Sequence, residues 1–191
     1  MKRDIEHITF GEYAFIYPYL TEDSREGTTQ RLKDAPKPSK FCGVEVPNDL
    51  NLCTYGTLCD IQTAASKNGG DIVGIARAVF PDLTDNQISK ERAVVVFGLV
   101  QWISKECERI NKLFAALQPR FSAEQVEAGF SKLNFGTFGV LDAYAKRQGI
   151  KDQDEVLSVR WVRIYTCFKN DMERAECERR LQEIYSRKIR H

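Results

Sequence analysis

The chain has 191 residues, enough for one well-formed core and short for two full domains. Apolar residues make up 42% and charged residues 29%, too apolar for a wholly disordered chain. Lysine and arginine number 28 against 27 aspartate and glutamate, so no global field favours DNA, RNA or an anionic membrane.

The opening residues, Met1 to His7, place no apolar run behind the Lys2-Arg3 pair, so an ordinary secretory signal is not expected and the protein should stay where it is made. A short apolar segment from Ile5 to Leu20 reads as an N-terminal arm over residues 1–20. Its Phe10 and Tyr13 are candidate partner-binding residues. Residues 21–49 are rich in charge, Ser, Thr and Pro, with Pro36, Pro38 and Pro47, and read as a polar loop or linker. Residues 50–191 then form the expected helical domain.

Beyond Leu50 apolar residues recur at three and four. Thr54 can cap a helix to about Lys67, ended by Asn68-Gly69-Gly70. Asp71 can cap a short helix through Ile72, Ile75 and Val79 up to Pro81. A long central helix from about Asp85 to Leu117 follows, placing Val96, Leu99, Ile103, Ile110, Phe114 and Leu117 on one face and closing at Pro119. At 1.5 Å per residue it spans roughly 45 Å. Its apolar run, Ala93 to Ile103, is shorter than the roughly 20 residues of a membrane span.

Ser122 with Gln125 forms a capping-box signature for a helix to Leu133, and a further helix runs from Phe135 to Gln148 with Gly149 at its end. Asp152 begins a short turn containing Val156 and Leu157. From Ser158 a long C-terminal helix carries Trp161, Tyr165, Phe168, Met172 and Ala175 at steps of four and three. Farther along, Leu181, Ile184 and Ile189 remain, with Glu176–Arg180 and Glu183–Arg187 spaced as ion pairs. That end is expected to face solvent and offer Leu181, Ile184 and Tyr185 to a partner. The expected fold is all-α: a helical, bundle-like domain preceded by arm and linker.

A local pattern recurs in Thr9-Phe10-Gly11-Glu12-Tyr13, Thr54-Tyr55-Gly56-Thr57-Leu58 and Asn134-Phe135-Gly136-Thr137-Phe138: a capping residue, an aromatic, a glycine, any residue, then an apolar one. The separations, 45 and 80 residues, are unequal, which excludes a solenoid. The physical reading is a helix start whose aromatic anchors the first turn and whose glycine permits close approach. No Lys or Arg lies within these segments, so anion binding is the weaker reading.

Chemistry has little to be built from. The two histidines, His7 and His191, both lie near an end of the chain, which leaves no material for a histidine base, a triad or a multi-histidine zinc site. The six cysteines (Cys42, Cys53, Cys59, Cys107, Cys167, Cys177) lack a CxxC pair and read as reduced, buried thiols, with no metal and no cofactor expected. Gly69 and Gly74 have the spacing of a phosphate loop, but Ile75-Ala76 stand where Lys and Ser/Thr are required. Asp152, Asp154 and Glu155 read as a solvated helix-opening turn. The basic run Arg179, Arg180, Arg187, Lys188 and Arg190 is diluted by Glu176, Glu178 and Glu183 and suits a helix C-terminus. Trp102 and Trp161 fall among apolar residues at helical spacing and read as core. No catalytic activity is expected.

Leu52-Cys53-Thr54-Tyr55-Gly56-Thr57-Leu58, Ala128-Gly129-Phe130 to Leu141-Asp142-Ala143-Tyr144-Ala145, and Asp154-Glu155-Val156-Leu157-Ser158-Val159-Arg160-Trp161 together resemble small helical proteins of tailed-bacteriophage structural modules. The likeness is to tail assembly chaperones of phages infecting Bacteroides-like gut hosts and covers about Leu50 to Arg190. It implies a non-enzymatic factor that keeps a tape-measure chain or tail-tube subunit soluble, working in the host cytoplasm with phage structural proteins as partners. It brings no active-site residues. The basic C-terminal helix departs from the acidic or flexible extensions of such chaperones and suits equally a virion component, a connector or ring subunit that self-associates. A nucleic-acid-binding regulator is the third reading.

Overall fold

The computed structural model describes residues 7–67, 70–117, 121–133 and 135–189. The expected stops at Asn68-Gly69 and Pro119, the capping role of Asn134 and the basic residue Arg190 lie outside them. The fold is all-α, with one two-stranded hairpin and two long helices among the described residues. The elements are α1 (Phe10–Ile16), α2 (Glu22–Lys33), β1 (Lys40–Phe41), β2 (Val44–Glu45), α3 (Tyr55–Ala65), α4 (Ile72–Val79), α5 (Asp85–Lys90), α6 (Ala93–Ala115), α7 (Ala123–Glu127), α8 (Gly136–Gln148) and α9 (Trp161–Ile189). Short 3-10 turns cover Tyr17–Tyr19, Phe130–Lys132 and Gln153–Ser158. Residues 1–53 and 57–109 form one compact unit, and residues 54–56 and 110–191 a second.

In the first unit, the segment read as a linker contains structure. Helix α2 follows Thr21, with Glu22 and Asp23 in its first turn and Arg31 and Lys33 in its last, a charge order that suits the helix dipole. Its apolar content is low, and Leu32 is its buried anchor. The hairpin pairs Lys40 with Glu45 and Phe41 with Val44. Cys42 (φ 47°) and Gly43 (φ 84°) supply the two left-handed residues that such a tight turn requires. Phe41, Leu50, Ile88, Val96, Leu99 and Ile103 are among the fully buried side chains of this unit.

The long helix expected over 85–117 is two helices. Thr84 caps α5 through a capping box with Gln87, and at Glu91 the chain turns extended (φ −71°, ψ 154°) before α6 begins at Ala93. The backbone groups that would have continued the helix are used elsewhere. Glu91 C=O accepts the Phe10 N–H at 2.7 Å, and Ala93 N–H donates to Ile8 C=O at 3.0 Å. The three valines Val94, Val95 and Val96 lie within α6 despite their preference for strands.

In the second unit Ile110, Tyr144, Val156, Trp161 and Ile164 are fully buried or nearly so. The helix expected from Ser122 to Leu133 stops at Glu127. Ser122 does form its capping box with Gln125, but Gly129 takes a left-handed conformation (φ 86°), and only a 3-10 turn follows. Gly149 ends α8 in the left-handed conformation (φ 68°), the helix stop expected from the sequence. Asp152 caps the 153–158 turn, and α9 starts at Trp161 rather than Ser158. Arg147 of α8 holds Asp171 of α9 through two hydrogen bonds of 2.6 and 3.0 Å. Among the described residues no helix is long and apolar enough to cross a membrane.

Candidate interaction surface

The arm residues expected to meet a partner are internal. Phe10 and Tyr13 are each 8% exposed, packed on Phe97 of α6 with ring centroids 6.0 and 5.2 Å apart. The first unit needs this apolar area for its own core, which corrects the docking role expected of both. Burial, together with the neighbouring Tyr17, pushes the Tyr13 hydroxyl up to about 12.

The way α1 is held is repeated in the second unit. Thr9 forms an isolated antiparallel bridge with Arg92, and Thr54 forms one with Arg160. The aromatic that follows donates its N–H to the residue before the arginine: Phe10 to Glu91 at 2.7 Å, Tyr55 to Val159 at 2.8 Å. The next residue is glycine, and a Cβ there would lie 3.2 Å from Ser89 O in the first case and 2.9 Å from Leu157 O in the second. Ser89 and Leu157 each stand three residues before their arginine. The residue four before it, Ile88 or Val156, is completely buried.

Each pair is therefore a grip of one helix start on another. A Thr-aromatic-Gly segment opens one helix, and its edge clasps the chain that leads from a short helix or 3-10 turn into a long helix. The aromatic is buried in both, Phe10 against Phe97, and Tyr55 against Phe114, which in turn contacts Trp161 and Tyr165. Glycine permits this close approach, most tightly at Gly56, because the neighbour is a backbone carbonyl rather than the end of a flexible side chain.

The third occurrence of the pattern is different. Phe135 is 69% exposed and Phe138 60% exposed, although Leu141, Tyr144 and Ala145 farther along α8 are buried. Val126, Phe130 and Leu133, just upstream, are exposed as well. The three phenylalanines together expose roughly 350 Å², taking about 200 Å² for a whole side chain.

The α9 residues expected to meet a partner do face solvent: Leu181, Ile184 and Tyr185 are each about half exposed. They stand three and four apart and so share a face. Glu176 accepts from Arg180 at 3.1 Å, as the spacing predicts. Glu183 pairs with Arg179 instead of Arg187, because Arg179 reaches both Glu176 and Glu183.

Among the described residues no three His, Cys, Asp or Glu side chains converge to hold a metal. All six thiols are free, none is fully buried, and Cys177 is exposed, which corrects the expectation of buried cysteines. Burial nonetheless pushes Cys107 up to about 11, with Cys53 and Glu106 adding to the effect. Asp152, Asp154 and Glu155 are exposed, and Asp152 is used to cap Asp154 N–H at 2.9 Å. Trp161 is core, as expected, whereas Trp102 lies partly open beneath the Lys37 ammonium at 4.6 Å.

No family model, no curated protein and no solved structure matches this chain.

Proposed function

We propose that this protein is a non-enzymatic, protein-binding assembly factor that holds an apolar segment of a partner. The observation that carries the reading is the run of exposed apolar side chains from Val126 to Phe138, on a unit that has an aromatic core of its own. Large apolar side chains exposed this close together along the chain favour a surface that a partner covers. The exposed stripe on α9 provides a second anchoring face of the helix-in-groove kind.

The resemblance to phage tail assembly chaperones gives this reading its specific form, in which the partner is a tape-measure or tail-tube protein kept soluble before it polymerises. The two histidines and the dispersed thiols favour binding over catalysis as the activity to test first. Co-expression with the products of the adjacent genes is the experiment. One of them should gain solubility and co-purify with the chain; if none does, the assembly-factor reading is wrong.

A further inference from the structure

We propose that the distal turns of α9, from Cys177 to Lys188, dock an amphipathic helix of a partner protein whose apolar seam is flanked by carboxylates. The site presupposes the protein-binding reading above and gives one partner segment its chemistry.

The proximal part of α9 is committed to its own unit. Trp161 and Tyr165 pack on Phe114 and Phe168 on Tyr144, with ring centroids 6.2, 5.7 and 6.4 Å apart. Sixteen residues separate Tyr165 from Leu181 and Phe168 from Ile184, about four and a half helical turns. Leu181 and Ile184 therefore face away from the side of the helix that meets the core. Every residue from Cys177 to Lys188 is exposed, and a helical stretch ordinarily owes its stability to a packed apolar face.

Cys177, Leu181, Ile184 and Lys188 stand at steps of four, three and four, the spacing of a seam between two helices. Arg180 and Arg187, seven apart, line one side of it, and Glu178 and Tyr185, also seven apart, line the other. On the back of the helix the carboxylates of Glu176 and Glu183 are both engaged by Arg179. Arg180 shares Glu176 at 3.1 Å, yet its side chain is 65% exposed. The edge of the seam thus sets Arg180, Arg187 and Lys188 against the carboxylate of Glu178.

That charge pattern chooses the occupant. An antiparallel second copy that seats Leu181 on Ile184 brings Arg180 beside Arg187 twice. One that seats Cys177 on Leu181 brings Arg180 beside Arg180 and Glu178 beside Glu178, and a parallel second copy stacks Lys188 on Lys188. Like charges across a seam oppose pairing. A helix with Asp or Glu on both sides of its apolar seam puts a carboxylate beside Arg180 and Arg187 in either direction.

The test titrates the full-length, isotope-labelled chain with two synthetic three-heptad peptides. One has Leu at both seam positions of each heptad and Glu at the flanking ones, and the other has Lys in place of each Glu. The Glu peptide should shift the amide resonances of residues 177–188 saturably and bind about tenfold or more tighter than the Lys peptide. Leu181→Ser with Ile184→Ser should weaken it by about tenfold or more. Arg180→Gln, Arg187→Gln and Lys188→Gln together retain good helix formers and should bring the two peptides to within about twofold of each other. Phe135→Ser with Phe138→Ser should bind the Glu peptide as the parent does.

The proposal is overturned if the Glu peptide leaves residues 177–188 unperturbed up to about 1 mM, if the parent binds the Lys peptide equally well, or if the neutral triple variant keeps the parent's preference. Sedimentation showing a dimer that depends on Leu181 would make a second copy the occupant. Tighter binding to phosphatidylserine vesicles or to duplex DNA through residues 177–188 would make it a membrane or a nucleic acid. Each of these results also overturns it. If residues 177–188 ignore the Glu peptide while a partner is still retained through Phe135 and Phe138, this site fails and the protein-binding reading stands. If the Glu peptide binds as described and no product of the adjacent genes co-purifies, the site stands and the assembly-factor reading fails.

Discussion

Gly98 in α6 lies directly against the carbonyl of Pro36, and a Cβ on Gly98 would stand 2.2 Å from that oxygen. The contact presses the Ala35–Pro36 backbone onto the helix, where no side chain fits between them. Gly98→Ala should therefore cost about 1–3 kcal/mol, the range for overpacking a close contact. Gly27, within α2, has no atom within 4 Å of its missing Cβ, and Gly27→Ala should stabilise by about 0.5–1 kcal/mol. Denaturant unfolding of both variants checks the opposite signs.

The two gripping glycines should rank by clearance. Gly56→Ala meets Leu157 O at 2.9 Å and Gly11→Ala meets Ser89 O at 3.2 Å, so the former should lose more stability. Equal losses in thermal unfolding would mean that the docked backbones shift freely.

Lys37 ties the approach to the hairpin to the loop beyond it. Its ammonium donates to Pro47 O at 2.6 Å and Asn48 O at 3.3 Å, and lies 4.6 Å from the Trp102 ring centre. Lys37→Met keeps the stem and removes the donors and the charge. It should cost about 1–2 kcal/mol and change the Trp102 emission, measured in a Trp161→Phe background.

Acid should act on Glu106. Its carboxylate accepts two hydrogen bonds from Arg109, at 2.7 and 3.0 Å, and the Leu50 N–H at 3.0 Å, and chiefly the Arg109 bonds hold its pKa below the ordinary glutamate value. A pKa lowered in the folded state contributes stability that is fully present above the unfolded value of about 4.3 and lost as pH falls through the folded value. Glu106→Gln should be less stable than the parent at pH 7, and the gap should close in urea titrations taken below that value.

The distal part of α9 should be dispensable for folding. Leu181→Ser, Ile184→Ser and Tyr185→Ser together remove side chains that are each about half exposed and should leave the melting temperature within a few degrees of the parent. A loss of the size seen on emptying a core would show that this face is packed in solution.

Much of the fold was legible because it rests on local signals. The helix caps at Asp71, Ser122 and Asp152, the stop at Gly149 and the buried positions of α6 follow from residue type and spacing. Three features were hidden because they depend on contacts far apart in sequence. The break at Glu91–Arg92 exists because Ile8 and Phe10 claim its backbone groups, and no turn residue marks it. Helix α2 is nearly all polar and is held by Leu32, so periodicity carries little signal there. Phe10 and Tyr13 look like a detachable anchor until Phe97 is placed against them. The repeated Thr/Asn-aromatic-Gly pattern was visible as a phrase, but its use as a grip was not, since the gripped segments have almost no residues in common.

The exposed apolar side chains from Val126 to Phe138 should bind a partner protein. Co-expression of the Phe135→Ser, Phe138→Ser double variant beside the parent, each with the product of the adjacent gene that co-purifies, tests it most directly. The variant should fold and melt like the parent while the amount of partner retained falls by about tenfold or more. Undiminished retention by the folded variant would contradict it.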